Sequence, residues 1–240
     1  MNRLLIDAGN TRIKFALASE DGGLAVHAHG TENELNFSAF AGTGISSVWV
    51  SNVAGEAVAQ KIVAACAPLN VSLRFIKAEV GQCGVQNGYA RPEQLGCDRW
   101  AALIAAWHRV GRACLVVGCG TATTIDALSD SGEFIGGLIL PGIELMQRSL
   151  TGATANLRAG EGRYMAFPDN TVDALFGGAI QATCGAIQRQ YALLNSPGVP
   201  VLLSGGAAGL LLPHLNLPVQ GVDDMVLQGL QLISRMENYE

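Results

Sequence analysis

Leu4-Leu5-Ile6-Asp7-Ala8-Gly9-Asn10-Thr11 and Leu115-Val116-Val117-Gly118-Cys119-Gly120-Thr121-Ala122 are two copies of one pattern. Each is an apolar run that ends in a glycine turn. Gly9 aligns with Gly120, and Asn10 with Thr121. Past each turn the β-branched or apolar residues resume, at Ile13–Leu17 and at Thr123–Leu128. That is strand, tight turn, strand. A second turn follows each copy, Asp21-Gly22-Gly23 in the first and Ser131-Gly132-Glu133 in the second.

A further parallel lies downstream. Val48-Trp49-Val50-Ser51-Asn52-Val53-Ala54-Gly55 resembles Val201-Leu202-Leu203-Ser204-Gly205-Gly206-Ala207-Ala208-Gly209. Both read as a buried strand, a small-residue turn and a helix start. Apolar spacing of three and four predicts helices over Glu56–Ala67, Arg99–Val110, Val172–Leu194 and Met225–Met236. Two glycine turns can look alike by chance. Two matches in the same order, each with its hairpin attached, favour duplication. The expected fold class is α/β, with two similar halves joined near Gly111–Arg112, over 1–111 and 112–240. Each half has a mixed sheet with an antiparallel hairpin at its start and a crossover helix.

Composition agrees with a packed protein of that kind. The 240 residues are 49% hydrophobic and 15% charged, enough for a large core. The net charge is −5 and no Lys/Arg run appears, so nucleic acid is not an expected partner. Cys66, Cys83, Cys97, Cys114, Cys119 and Cys184 form no C-x-x-C pair, and no His sits at zinc-ligand spacing. Met1–Ile6 runs straight into a strand, with no basic-then-apolar leader. Reduced thiols and a cytoplasmic location are expected. From Gln190 to Val222 there is no charged residue, but Pro197, Pro200, Pro213 and Pro218 interrupt the stretch. Breakers at that density fit strands and turns better than a membrane span.

A turn of glycine and small polar residues brings backbone N–H groups close to a ligand, which suits phosphate oxygens. Asn10, Thr11, Thr121, Thr123 and Thr124 add side-chain donors, and Lys14 adds a point charge. Asp7, at the strand end, is placed to hold Mg²⁺ through water. Neither a Walker loop nor G-x-G-x-x-G is present. One such turn alone would read as a plain hairpin. Two on duplicated halves are expected to face each other across a ligand cleft. Phosphoryl transfer to an alcohol also needs a carboxylate to take the hydroxyl proton. Asp98, in Leu95-Gly96-Cys97-Asp98-Arg99-Trp100, is the candidate; a plain helix N-cap is the alternative. Arg99 is either a carboxylate clamp or a solvated helix residue. Tyr89 either walls a small substrate or merely packs.

Taken together, these residues resemble type III pantothenate kinase. The resemblance is carried by Asp7-Ala8-Gly9-Asn10-Thr11-Arg12-Ile13-Lys14, by Tyr89-x-x-Pro92-x-x-Leu95-Gly96-Cys97-Asp98-Arg99-Trp100, and by Gly120-Thr121-Ala122-Thr123-Thr124-Ile125-Asp126. Gly136–Gly142, Ser149-Leu150 with Thr154-Ala155, Asn170-Thr171 with Asp173-Ala174, and Ser204–Ala207 extend it. It implies a duplicated ribonuclease-H-like fold of the actin/hexokinase type. It implies transfer of the ATP γ-phosphoryl group to pantothenate, the first step of coenzyme A synthesis, in a homodimer. Carried over, Asp7, Ala8, Gly9, Asn10, Thr11, Arg12, Ile13, Lys14 and Thr121 are ATP contacts. Asp98 is the proton acceptor. Tyr89, Gly96, Cys97, Asp98, Arg99 and Thr171 are pantothenate contacts. The family also uses a monovalent cation, potassium or ammonium, held in part by an Asp where this chain has Gly118. Without that carboxylate the cation requirement is in doubt.

Two other functions fit parts of the pattern. A kinase for another alcohol, such as a sugar, would keep the fold and change the acceptor. A non-catalytic nucleotide-binding regulator would bind ATP without transferring it, and Asp7, Lys14 and Asp98 argue against it.

Overall fold

A computed structural model describes residues 2–30, 35–153 and 162–236. Leu4, Leu5 and Ile6 are all fully buried. A strand with three consecutive buried residues must be covered on both faces, as in the centre of an α/β sheet. That strand is β1 (Asn2–Ala8). The chain turns at Gly9–Arg12 into β2 (Ile13–Ala18), then into β3 (Leu24–Gly30). It crosses over to β4 (Ile45–Asn52), and helix α1 (Glu56–Cys66) leads on to β5 (Ser72–Phe75). The sheet order is β3-β2-β1-β4-β5. The hairpin strands pair antiparallel, while β1, β4 and β5 run parallel. One face of β1 packs Leu4 and Ile6 against Val58 and Ile62 of α1. Each side chain of that size contributes roughly 1.5–3 kcal/mol when fully buried. A small hairpin, β6 (Gly81–Gln82) with β7 (Val85–Asn87), precedes α2 (Cys97–Val110).

The second stretch repeats this order. Strands β8 (Cys114–Cys119), β9 (Ala122–Leu128) and β10 (Glu133–Pro141) form an antiparallel meander. Helices α3 (Ile143–Ala153) and α4 (Thr171–Leu193) follow. Then come β11 (Val201–Ser204), the short α5 (Ala208–Leu211) and β12 (Val219–Gly221). The strands run β12-β11-β8-β9-β10, with β8, β11 and β12 parallel. Strand for strand this is the first sheet again: β8 takes the place of β1, β9 of β2, and β11 of β4. The core of this sheet sets Leu115, Val117 and Ile125 against Ile180 and Ile187 of α4.

Contacts divide the chain into Met1–Arg109 with Asp224–Glu240, and Val110–Asp223. In this division the last helix is grouped with the first 109 residues. That helix, α6 (Met225–Met236), buries Leu227, Leu230 and Ile233 completely and packs on β1, β2 and β4. Its Gly229 lies against α2: a Cβ there would sit 1.9 Å from the Ala101 carbonyl oxygen. Only glycine permits that approach. Among the described residues, no helix is long and apolar enough to cross a membrane.

Candidate active site

In the first unit, Asp7 is the next-to-last residue of β1. The hairpin register sets Lys14 of β2 opposite it, and the parallel register sets Ser51 of β4 on its other side. Paired residues on neighbouring strands project to the same face, so Lys14, Asp7 and Ser51 form one row. The row continues past the sheet. Ser51 Oγ lies 3.5 Å from Cys97 Sγ, and the Cys97 thiol donates to the Asn52 carbonyl at 3.5 Å. Cys97 opens α2, so this contact ties the row to the helix turn that carries Asp98. At the other end, Lys14 Nζ donates to Asp224 Oδ1 at 2.8 Å, from the residue just before α6.

Asp98, Lys14 and Asp224 each act electrostatically on Asp7. Asp7 keeps some surface open, yet burial pushes its carboxyl up from 3.8 to about 7. The Asp98 carboxylate adds to the rise, Lys14 opposes it, and Asp224 adds a smaller push. The turn below, Gly9–Arg12, is closed by the Gly9 N–H donating to the Arg12 carbonyl at 3.1 Å. Ala8 and Ile13, which flank it, are buried; Asn10, Thr11 and Arg12 are exposed. Ala8 and Ile13 therefore support the turn, and the residues between them present it.

Asp98 lies inside the first turn of α2, not at its cap. The cap role belongs to Gly96, whose carbonyl accepts the Trp100 N–H at 3.0 Å. Asp98 Oδ1 accepts the Arg99 N–H at 2.8 Å. Gly96 makes room for that carboxylate, since a Cβ at 96 would stand 2.6 Å from Asp98 Oδ1. Arg99 is no solvated helix residue: it is 7% exposed. Its Nη1 donates to the Tyr89 hydroxyl at 3.2 Å, and the guanidinium carbon lies 5.8 Å from the Tyr89 ring centroid. Tyr89 is held in turn, its N–H donating to Asn87 Oδ1 at 3.1 Å, while Asn87 Nδ2 donates to the Pro92 carbonyl. Burial pushes the Cys97 thiol up, partly offset by Ser51. It is a packing thiol, not an activated nucleophile. A cavity of ≈ 910 Å³ lies at the ends of β4 and β5, with Asn52, Phe75, Lys77, Gly96 and Cys97 in its wall.

The second unit builds the same row without charge. Gly118 of β8 pairs with Thr124 of β9 and with Ser204 of β11. A Cβ on Gly118 would meet Thr124 Oγ1 at 2.9 Å. Gly120 closes the turn by donating to the Ala122 carbonyl at 3.1 Å, and Thr121 is exposed at its tip. Gly142 braces it, donating to the Thr121 carbonyl at 2.8 Å. Thr171 starts α4 and is exposed. Asn170 caps that helix by accepting the Asp173 N–H at 3.0 Å. Thr154 and Ala155 lie outside the described residues.

The structure thus brings together Asp7, Lys14, Cys97, Asp98, Arg99 and Tyr89 on one unit, and sets Thr121 and Thr171 on the other. Ser51, Asn52 and Asp224 were missed. Ser51 and Asn52 stand inside the repeated strand-turn motif, and the register gives them their place. Asp224 carries no local signal beyond an acidic residue before a helix.

Several solved structures share this architecture. A Baf-family protein from Campylobacter jejuni superposes with a TM-score of 0.65 at 21% identity, covering 99% of this chain and 100% of its own. The ethanolamine utilization protein EutJ from Carboxydothermus hydrogenoformans gives 0.55 at 13% identity, over 97% and 90%. The fold is the duplicated α/β type of the actin/hexokinase class, with two mixed sheets flanked by helices. Within that class the sequence is specific. The type III pantothenate kinase profile matches residues 3–193. The type III pantothenate kinase of Nitrosomonas eutropha is 44% identical across 99% of this chain and 96% of its own. That of Aromatoleum aromaticum is 46% identical across 97% of each. This chain belongs to the type III pantothenate kinase family.

Proposed function

We propose that this protein transfers the γ-phosphoryl group of ATP to the hydroxyl of pantothenate, giving 4′-phosphopantothenate for coenzyme A synthesis, with Asp98 taking the hydroxyl proton. Family membership supports the reaction. The observation that supports the residue roles is the nearness of the Asp98 carboxylate to Asp7 in one unit, close enough to push the Asp7 carboxyl up. Asp98 Oδ1 is held by the Arg99 N–H, which fixes the carboxylate and leaves Oδ2 to meet a hydroxyl. Arg99 and Tyr89 support one another and suit the pantothenate carboxylate and its chain. The turn residues Gly9–Arg12, with Lys14 and Thr121, are read as the phosphate contacts. Thr171 is read as a pantothenate contact.

Two neighbouring carboxylates and one ammonium leave Asp7 in a field that a divalent cation offsets. Among the described residues, no three His, Cys, Asp or Glu side chains are spaced to hold a metal by themselves. Asp7 therefore fits Mg²⁺ held through water and the nucleotide, where the ion would neutralise phosphate charge. The Gly118–Thr124 row offers hydroxyl oxygens and no carboxylate, which supports a weak response to potassium or ammonium. We read the protein as cytoplasmic, with its six cysteines free, and as a homodimer. Ile139 and Phe167, 66% and 93% exposed, support an apolar contact surface.

The test is ADP release from ATP, Mg²⁺ and pantothenate, with and without potassium or ammonium. No pantothenate-dependent ADP under any of these conditions rejects the function. Hexoses turned over faster than pantothenate would reassign the acceptor.

A further inference from the structure

We infer that Asp224 is a positioning residue for the phosphate site: it draws the Lys14 ammonium away from Asp7 and holds it in place for the nucleotide. The inference rests on the reading of Lys14 as a phosphate contact. Lys14 stands directly across the hairpin from Asp7, its natural ion-pair partner. Its Nζ nevertheless meets Asp224 Oδ1, at 2.8 Å. Both side chains are mostly covered, with 27% and 17% of their surfaces exposed, so the pair is shielded better than a surface salt bridge.

The backbone at Asp224 points the same way. Its φ is +52°, in the left-handed region that non-glycine residues rarely occupy. Such positions persist where the surrounding structure holds them, and they gather at functional sites. The Asp224 carbonyl accepts the Gln228 N–H at 3.0 Å and so starts α6. Its side chain, the usual means of capping a helix, serves Lys14 instead. α6 is itself fastened to the β2–β3 turn, with Gln231 Nε2 donating to the Gly22 and Gly23 carbonyls at 3.2 and 3.3 Å. The last helix therefore delivers a carboxylate to a fixed point beside the first hairpin.

The consequence is a division of labour. If Lys14 paired with Asp7, the ammonium would neutralise the carboxylate that the metal requires, and nucleotide binding would have to break that pair. With Asp224 holding Lys14, Asp7 stays unpaired by hydrogen bond to Lys14, and the ammonium waits beside it. Without Asp224 the site should bind Mg·ATP more weakly, while the chemistry at Asp98 proceeds at nearly its normal rate.

The test uses the full chain. Asp224→Asn keeps shape and tolerates a left-handed backbone. It should raise KM for Mg·ATP roughly tenfold, with kcat and the KM for pantothenate within about twofold. In a Lys14→Ala background the same substitution should change KM for Mg·ATP by less than about twofold, because its partner is gone. A purely structural role predicts a lowered melting temperature and the same KM change in both backgrounds. That result, or an unchanged KM in the single variant, overturns the inference. If Asp224→Ala fails to fold, Asp224→Asn still decides. If the unaltered protein turns over no pantothenate, the proposed function fails separately, and calorimetric Mg·ATP affinities of the same four proteins decide the role of Asp224.

Discussion

Ser51–Asp7–Lys14 in the first unit and Ser204–Gly118–Thr124 in the second occupy the same three strand positions. The serines match, and everything else differs. The first row carries a carboxylate and an ammonium, with Asp98 and Asp224 close enough to act on Asp7. The second row is neutral, and its central residue has no side chain. The two units share the strand-and-turn scaffold and differ in the charge it carries. The turns differ too. Asp7 pairs with Lys14 and Gly118 with Thr124, so the first loop is one residue longer. Under the proposed function, proton transfer by Asp98 and metal binding at Asp7 both fall to the first unit, and the second offers backbone and hydroxyl donors.

Asp98→Asn should break that assignment most visibly. A lost general base costs roughly 10²–10⁴ in kcat. ATP affinity, read by calorimetry, should stay within about threefold because the turn is untouched. A variant with near-normal kcat would mean that Asp98 does not take the proton.

The next test asks whether the second unit tolerates the residue of the first. Asn52 caps its own turn, Oδ1 accepting the Ala54 N–H at 3.0 Å. Its counterpart Gly205 has φ +104°, and a Cβ there would lie 2.4 Å from the Cys119 carbonyl oxygen. Backbone atoms cannot move aside as a side chain can. Gly205→Asn should therefore lose about 3 kcal/mol or more in urea unfolding. A loss below about 1 kcal/mol would show that the two turns are interchangeable.

A pH series separates the rows further. Folded Asp7 titrates near 7 and unfolded Asp near 3.8. Between those values the folded protein holds a proton that the unfolded chain has lost, so raising the pH through this window costs stability. Asp7→Asn removes that cost. Its thermal stability relative to the unaltered protein, without metal or nucleotide, should climb from pH 4 to pH 7 and then level off. The gain should be about 2 kcal/mol, less than the full shift because the carboxyl keeps some contact with solvent. An equal difference at pH 4 and pH 8 would mean that Asp7 titrates normally. Gly118 has no group to titrate, so the second row contributes nothing to this curve.

Much of this was legible in the residues. The repeated apolar-run-and-glycine pattern predicted both hairpins, and three-and-four spacing predicted four helices to within two residues at each end. Those signals are local, set by strand and helix periods and by turn chemistry. The unread parts are contacts over long sequence distances. Asp224 lies 210 residues from Lys14, and α6 joins the unit where the chain began. An amphipathic helix announces an apolar face but not which sheet will cover it. Arg99 stayed open for a related reason: its place on a helix allows a clamp or a solvated charge, and its burial and its contact with Tyr89 appear only in the fold.

The smallest expected effect bears most directly on how the rows diverged. Gly118→Asp would restore a carboxylate at the centre of the second row. The new Cβ meets only Thr124 Oγ1, the end of a side chain that can rotate, so the cost in stability should be about 1 kcal/mol. The carboxylate would then sit among hydroxyls with no ammonium opposite, because Thr124 stands where the first row has Lys14. A monovalent cation is the ready counter-charge in that setting. Turnover of the unaltered protein should be nearly the same with potassium as with sodium. In Gly118→Asp the potassium-to-sodium ratio of kcat/KM for ATP should rise about twofold. If the unaltered protein already depends strongly on potassium, the neutral row is not what sets the cation response. If Gly118→Asp folds well and the ratio stays at one, a carboxylate at this position is not sufficient to restore it.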